Sequence, residues 1–265
     1  MKGIDVSFCQ SNVNWQAVKN SGHGDFAIIR AGYGRHASQK DAQFENHYAG
    51  AKSVGIPVGA YWYSYAMNED EARLEADAFL SVIEGKQFEM PVYFDLEEDK
   101  QFGLGKARVS AIMRAFLEKV EAAGYFVGLY GSKSSLTTHT ADDIKNRYTI
   151  WMAHWVSQTN YGGAYNIWQY SAAGRIPGID GDVDLDECYV DYPAIIVGGG
   201  FNGFPKPEPL PYTPGMTNAD AANVAYAHGM TAGDVQTLLR WVAEKGAGNY
   251  PDTEEGFRAF LNGNA

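Results

Sequence analysis

One stretch of the 265-residue chain, MPVYFDLE at residues 90–97, indicates both the fold and the site. Its apolar and aromatic residues predict a buried strand that ends in two carboxylates, Asp95 and Glu97. Side chains alternate between the faces of a strand, so we expect both carboxylates on one face, with Cα atoms about 6.5–7 Å apart. Two neighbouring acids raise each other's pKa. Such a pair suits an acid working beside a carboxylate, the equipment that cleaves glycosidic bonds.

Short strand-like runs recur along the chain, at residues 3–7, 26–31, 57–63, 91–97, 126–130, 149–153, 166–170 and 182–185. Helical patterns separate several of them, with apolar stripes over 72–83 and 109–120. Gly85 and Gly124 stand where C-terminal caps are expected. Strands that alternate with helices predict a parallel sheet. We therefore predict an α/β fold, an irregular, abbreviated (β/α)8-like barrel, because the later crossovers are too short for full helices.

The acids fall at the strand ends. Active sites of such barrels gather at the C-terminal ends of the strands. Asp5 lies in the first predicted strand and Asp184 in the eighth, and these strands are neighbours in a closed barrel. Asp5, Asp95, Glu97 and Asp184 are therefore expected at one mouth. Four carboxylates held close together destabilise the folded protein, so their presence indicates a functional role.

Six motifs in order resemble the glycoside hydrolase family 25 lysozymes. They are GIDVS at 3–7, IIRAGYG at 28–34, GAYWYS at 59–64, FDLE at 94–97, IWQYS at 167–171 and GIDGDVDL at 178–185. The resemblance covers residues 1–192. It implies an N-acetylmuramidase, an endolysin-like enzyme that hydrolyses the β-1,4 bond between N-acetylmuramic acid and N-acetylglucosamine in peptidoglycan. We expect no cofactor and no metal. Cys9 departs from the pattern at the rim of the cleft.

Carried over by position, the resemblance assigns roles to the four acids. Glu97 matches the proton donor, Asp95 the acid that assists at the anomeric carbon, and Asp5 and Asp184 the two remaining acids of the cleft. A retaining course assisted by the substrate's own N-acetyl group is implied. Residue spacing alone leaves direct attack by Asp95 open.

Aromatic residues near strand ends are candidates for stacking on sugar rings. We predict Tyr61, Tyr63, Tyr130 and Trp168 as substrate-binding residues. Because neighbours on a strand face opposite ways, Tyr61 and Tyr63 should share a face and Trp62 should take the other.

Composition excludes some partners and favours others. A net charge of −11 argues against nucleic acid, whose binding relies on Lys and Arg neutralising phosphates. No apolar run is long enough to insert into a membrane. The chain starts its first strand at once after Met1, so we expect no signal peptide and an enzyme held in the host cytoplasm until lysis. Secretion of a mature form is the alternative.

The two cysteines, Cys9 and Cys188, follow motifs on strands that should be adjacent. Spacing does not establish whether they pair. For a chain folded in a reducing cytoplasm we expect two free thiols.

The character of the chain changes after the barrel. We predict a catalytic unit over 1–197, a Gly- and Pro-rich linker over 198–215 and a three-helix module over 216–265, with Thr-x-x-Asp helix starts at Thr217 and Thr231. Behind a wall hydrolase the module's expected role is wall binding. Self-association is the alternative.

Two other functions fit an acid cluster. The carboxylates could hold a divalent metal in a metal-dependent hydrolase, although no His follows a strand-end acid at ligand spacing. The barrel could also be a wall-binding protein without activity. Lysis of purified walls with and without a chelator would separate these readings.

Overall fold

The computed structural model describes residues 1–206, and its centre is a closed barrel of eight strands in chain order. The strands are β1 Lys2–Val6, β2 Phe26–Tyr33, β3 Val58–Tyr63, β4 Val92–Asp95, β5 Val127–Ser132, β6 Thr149–Ala153, β7 Ile167–Gly174 and β8 Val183–Cys188. Each corresponds to one predicted run, so the irregular barrel is confirmed. β4 ends at Asp95, and Glu97 therefore lies in the loop beyond the strand rather than in it.

The direction of β8 differs from the prediction. Strands β1 to β7 pair in parallel with one another, but β8 runs antiparallel to both β7 and β1. The prediction of a fully parallel sheet was wrong here. The short segment 175–182 holds no helix, and a parallel return needs a crossover of a dozen or more residues. The chain therefore turns back and enters β8 from the mouth.

Eight helices accompany the strands in the described part of the chain. They are α1 Trp15–Lys19, α2 Phe44–Ser53, α3 Glu69–Ile83, α4 Asp99–Phe102, α5 Lys106–Ala122, α6 Lys133–Thr138, α7 Asp142–Arg147 and α8 Tyr192–Gly199. The two predicted apolar stripes are α3 and α5. Asn68 caps α3 by accepting from the backbone N–H of Glu71, and Gly85 and Gly124 take positive φ just beyond the two helices. These caps satisfy helix-end groups that would otherwise lack partners.

The strand alternation sorts apolar side chains into two layers. Outward residues pack under the helices: the rings of Phe94 and Phe116 stack 4.1 Å apart, and Trp62 packs on Phe79. Inward residues fill the barrel, where Trp151 and Tyr93 contact each other at 5.2 Å between ring centroids. Both layers are almost free of solvent, so strand register is strongly specified.

Helix α8 closes the amino end of the barrel and the chain beyond it stays packed. Phe201 contacts Phe126 with ring centroids 5.7 Å apart. Asn202, fully buried at φ +53°, donates to the carbonyls of Phe88 and Met90 and accepts from the backbone N–H of Phe126. The packing thus continues into the segment predicted as linker. The remaining linker and the module at 216–265 lie outside the described residues.

The two cysteines are free thiols, as predicted. Cys9 is exposed at the mouth after β1, whereas Cys188 is buried at the far end of β8 and its backbone N–H donates to the carbonyl of Met1. The reversed direction of β8 places them at opposite ends of the barrel. Within residues 1–206, no helix has both the length and the apolar character needed to cross a membrane.

Candidate active site

The structure brings the four predicted acids together in one cleft of about 290 Å³. Asp95 is the last residue of β4, and Glu97 follows it in the loop. Asp5 on β1 and Asp184 on β8 are direct partners across the antiparallel pair. Asp184 reaches the mouth because β8 begins there, not because a strand ends there. The predicted cluster is therefore present, with a different origin for its fourth member.

Burial dominates the electrostatics of Asp95 and Glu97. Burial raises the pKa of Asp95 well above its usual range, the charge of Glu97 raises it further, and Arg30 opposes the shift. One oxygen of Asp95, Oδ1, is buried without a hydrogen-bond partner among the described residues. The pKa of Glu97 is raised by loss of water and by the charges of Asp184 and Glu98. Because the Glu97 side chain is exposed at the rim, solvent screens the neighbouring charges more strongly at Glu97 than at the buried Asp95.

Asp5 and Asp184 form the other half of the cleft. Burial raises the pKa of Asp184 to about 6, against a hydrogen bond with Asp5 that lowers it. The pKa of Asp5 is raised by burial and by the charges of Asp184 and Asp186. Acids in contact cannot all be ionised near neutral pH. The cleft therefore holds shared protons at the pH where ordinary carboxyls have lost theirs.

Three of the four predicted aromatic residues line this cleft. Tyr61 and Tyr63 share its wall, and Trp62 points outward, as predicted. Tyr130 lies across from them, 7% exposed. Trp168 lies elsewhere, because Ile167 and Gln169 take the inward face of β7 and leave it the outward one. Its indole N–H donates to the backbone carbonyl of His154.

A hydrogen-bond network that the sequence analysis missed organises the cleft around Gln169. Its Oε1 accepts from the hydroxyl of Tyr130 and from Nε1 of Trp155, each at 3.0 Å. Because an indole N–H can only donate, this oxygen is fixed. The amide Nε2 must then face Asp5, and it donates to Asp5 Oδ2 at 2.8 Å. The sequence did carry a signal for Gln169: it follows Trp168 directly in the predicted strand, so the two side chains must lie on opposite faces.

Arg30 is the cation of the cleft wall and was also missed. Its Nε donates to Asp41 Oδ2 at 2.7 Å, and its guanidinium lies over the ring of Phe8 at 4.7 Å. Asp41 is in turn fixed by the backbone N–H groups of Phe8 and Gln43. A charged residue inside an otherwise apolar predicted strand was the available signal. Arg30 lowers the pKa of Asp95 and so favours its ionised form.

A second groove of about 540 Å³ opens beside Glu97 and Tyr130. Lys133 and Trp155 line it, together with hydroxyl groups of α6. Trp155 is 60% exposed, yet its indole is held by Gln169. An exposed, fixed aromatic ring beside the acids is a surface on which a sugar can stack. Within residues 1–206, no group of three or more His, Cys, Asp or Glu side chains is arranged to hold a metal ion.

Comparison with known proteins gives consistent matches over the barrel. The autolytic lysozyme of Clostridium acetobutylicum is 30% identical over 200 residues, covering 75% of this chain and 58% of that protein. Lysozyme M1 of Streptomyces globisporus is 31% identical over 201 residues, covering 71% and 67%. The bacterial lysozyme structure from Streptomyces coelicolor superposes with a TM-score of 0.63 at 30% identity, covering 72% of this chain and 92% of that one.

The chain spans only 58% of the length of the clostridial relative, so the similarity describes the barrel rather than every part of these proteins. The sequence model of glycosyl hydrolases family 25 matches residues 4–179. That range includes the last three residues of β1, all of β2 to β7 and, among the four predicted acids, Asp5, Asp95 and Glu97. The chain belongs to glycosyl hydrolase family 25.

Proposed function

We propose that the protein is a peptidoglycan hydrolase, an N-acetylmuramidase that cleaves the β-1,4 bond between N-acetylmuramic acid and N-acetylglucosamine. The observation that carries this is the convergence of Asp5, Asp95, Glu97 and Asp184 on one cleft walled by tyrosines. Family membership and relatives named lysozymes support it. The fixed indole of Trp155 supports a sugar as ligand.

In the proposed mechanism Glu97 protonates the glycosidic oxygen. Loss of water and the charges of Asp184 and Glu98 raise the pKa of its carboxyl, which favours the protonated form that a general acid requires. Asp95 stabilises the positive charge that develops at the anomeric carbon. The charge of Arg30 supports the ionised form of Asp95 for this task. Both acids have raised pKa values, so they can share one proton; Arg30 offsets part of the burial at Asp95 and thereby favours the state in which Glu97 holds that proton.

We further propose a retaining, substrate-assisted course without a metal. Asp95 would orient the N-acetyl group of the substrate, whose carbonyl oxygen attacks the anomeric carbon. Three measurements decide this: the anomer first formed, read by NMR, hydrolysis of glycans lacking the acetyl group on the cleaved sugar, and activity in the presence of a chelator. An inverted first product excludes retention. Rapid hydrolysis of the de-N-acetylated glycan excludes assistance, and loss of activity in chelator excludes metal independence.

The test of the function is mass analysis of wall digests together with Glu97→Gln. Wild-type digests should end in reducing N-acetylmuramic acid, and the variant should lyse walls at least about a hundredfold more slowly, the usual contribution of a general acid. Asp99→Asn, an exposed carboxyl at the start of α4, is the matched control and should retain activity. Reducing N-acetylglucosamine ends, or near-normal lysis by a folded Glu97→Gln protein, would contradict the proposal.

We infer that residues 216–265 bind wall material. The Pro-rich segment at 204–214 suits a spacer, and a tethered binding module raises the local concentration of substrate. Co-sedimentation of inactive Glu97→Gln protein with walls, as the full chain and as a chain ending at residue 206, tests this. Equal binding by the two forms would contradict wall binding by the module, and a dimer formed only by the full chain would then favour self-association instead.

A further inference from the structure

A buried polar network that the mechanism above does not use lies between the loops that follow β3 and β4. Its members are Ser64, Glu75 and Gln101, and all three residues are fully buried. Ser64 directly follows β3, Glu75 lies on α3 and Gln101 lies on α4. Three elements that are separate in the sequence therefore meet beside the loop that carries Glu97.

The backbone fixes the orientation of the Gln101 amide. Its Nε2 lies 2.9 Å from the carbonyl oxygen of Ala66, and its Oε1 lies 3.1 Å from the backbone nitrogen of Glu98. A carbonyl oxygen only accepts and a backbone N–H only donates, so the amide has one possible orientation. Gln101 therefore joins the loop after β3 to the residue that directly follows Glu97.

Ser64 and Glu75 hold the amide in this place. Ser64 Oγ accepts from Gln101 Nε2 at 3.3 Å and from the backbone N–H of Ala66 at 3.2 Å. Both acceptor positions of the hydroxyl are then occupied, so its own hydrogen is donated to Glu75 Oε2 at 2.6 Å. The other oxygen of Glu75 accepts from the backbone N–H of Tyr65 at 2.8 Å. Every polar atom of the three side chains has a partner, and such a buried network is rigid.

Hydrogen bonds from this region hold the backbone on both sides of Glu97. Before it, the carbonyl of Asp95 accepts from the backbone N–H of Ser64 at 2.8 Å. After it, Glu98 donates its backbone N–H to Gln101. The Glu97 side chain is exposed at the rim, so its position depends on how firmly this backbone is held.

We propose that Gln101 is a positioning residue that, together with Ser64 and Glu75, holds the peptide segment of Glu97 in a fixed place relative to Asp95. This inference rests on the proposed function, because it takes Glu97 as the general acid. A catalytic group displaced by about 1 Å can cost a hundredfold in rate. The network is buried away from the substrate, so its removal should lower kcat and leave KM almost unchanged.

The first test is Gln101→Met, which keeps the length of the side chain and removes its hydrogen bonds. On a soluble glycan, kcat should fall at least about tenfold while KM changes by less than about twofold. Asn202→Ala is the matched control, because Asn202 is also a fully buried amide with three hydrogen bonds to the backbone, at the opposite end of the barrel. The control should lower Tm and retain kcat well below that Tm. Normal kcat in folded Gln101→Met would overturn the proposal.

A double-mutant cycle separates the positioning of Glu97 from a general loss of structure. In the Glu97→Gln background the acid that Gln101 positions is already absent, so adding Gln101→Met should lower the residual kcat by less than about twofold. A purely structural role would lower kcat by the same factor in both backgrounds. An equal fall in the two backgrounds would therefore overturn the proposal.

Hydrogen exchange tests the contact itself and needs no substrate. The backbone amide of Glu98 should exchange at least about tenfold faster in Gln101→Met than in wild type, because a thioether is a poor acceptor for this N–H. Unchanged exchange at Glu98 would overturn the proposal.

A second variant covers the case in which Gln101→Met does not fold. Ser64→Ala removes a single hydroxyl from the network, so kcat should fall at least about threefold with KM unchanged, and normal kcat would count against the network. Failure of the wild type to release reducing N-acetylmuramic acid would instead count against the proposed function, and exchange at Glu98 would still test the contact with Gln101.

Discussion

Asp184 offers the sharpest test of how the cleft tunes its acid. After burial, the charge of Asp184 is the next largest cause that raises the pKa of Glu97. Asp184→Asn removes that charge and changes little in side-chain volume. Glu97 then ionises more easily and its pKa falls. A general acid that loses its proton at lower pH stops working at lower pH, so the alkaline limb of the kcat/KM profile should move down.

The size of this shift follows from the position of Glu97. A like charge beside a carboxyl raises its pKa by about one to three units in partly buried sites. Glu97 is exposed at the rim, so solvent screening weakens the effect of the Asp184 charge on its pKa and places it at the low end of this range. Above both pKa values, kcat/KM of the variant should therefore be about tenfold below wild type, in addition to any loss that is independent of pH.

The assay is the pH dependence of kcat/KM on a soluble glycan for wild type, Asp184→Asn and Asp182→Asn. Asp182 pairs with the exposed Arg175 at 3.0 Å, and no effect of it on Glu97 is expected, so its variant is the matched control. An unmoved alkaline limb, or one that moves upward, in Asp184→Asn would refute the reasoning. An equal shift in Asp182→Asn would show a general charge effect rather than a local one.

The same substitution has a consequence for stability. The pKa of Asp184 is about 6 in the folded protein and ordinarily 3.8, so the folded state holds this proton more tightly. The stability that results is present below pH 3.8 and is lost as pH rises through about 6. The two pKa values correspond to at most about 3 kcal/mol, shared with Asp5. The melting temperature should therefore fall less between pH 5 and pH 8 for Asp184→Asn than for the wild type.

Three further outcomes are expected. Asn202→Ala leaves three buried backbone groups without their Asn202 partner, so the free energy of unfolding should fall by about 3–5 kcal/mol and Tm by roughly 10 °C. Calorimetry measures this, and an unchanged Tm would mean that the segment after α8 does not stabilise the barrel. Gln169→Glu replaces the N–H that faces Asp5 by an oxygen, so wall lysis should fall at least about tenfold in a folded protein, and normal turbidity clearing would argue against the network. Iodoacetamide should label Cys9, which is exposed, and spare Cys188, whose burial raises its pKa to about 12; mass spectrometry that finds two labels on the native protein would contradict this.

Strand existence was predictable because period-two alternation is a local property, but strand direction was not. A strand reads the same in both directions, so the sequence of β8 is equally consistent with either. What reverses β8 is the missing helix in segment 175–182, which leaves no crossover. The meeting of Asp5 and Asp184 was predicted correctly because neighbouring first and last strands follow from closure alone. Their cross-strand register followed only from the antiparallel pairing.

Alternation also gives two faces without saying which one is inside. For β3 we predicted that Tyr61 faces the cleft and Trp62 faces outward, and the structure agrees. For β7 we predicted that the aromatic Trp168 faces the cleft, but Gln169 does so instead. The inward position of β7 beside Asp5 is polar, because the amide of Gln169 donates a hydrogen bond to the Asp5 carboxylate there. Asp186 follows Asp184 at the spacing that shares a face, so it could have been predicted. Arg30 stood out by charge in an apolar strand.

The balance of charge in the cleft connects these observations to the proposed reaction. Asp5, Asp95, Glu97 and Asp184 line a cleft whose lining includes a single cation, Arg30, and Asp186 is buried on the same face of β8 as Asp184. Arg30 opposes the raised pKa of Asp95 and is already paired with Asp41. Such a site is destabilising in the resting protein, since burial raises the pKa of each of the five acids. It is favourable only while positive charge develops in its centre, as it does at the anomeric carbon in an oxocarbenium-like transition state. Shared protons on the deeper acids reduce the resting cost, and the upper carboxylates retain the field that the reaction uses.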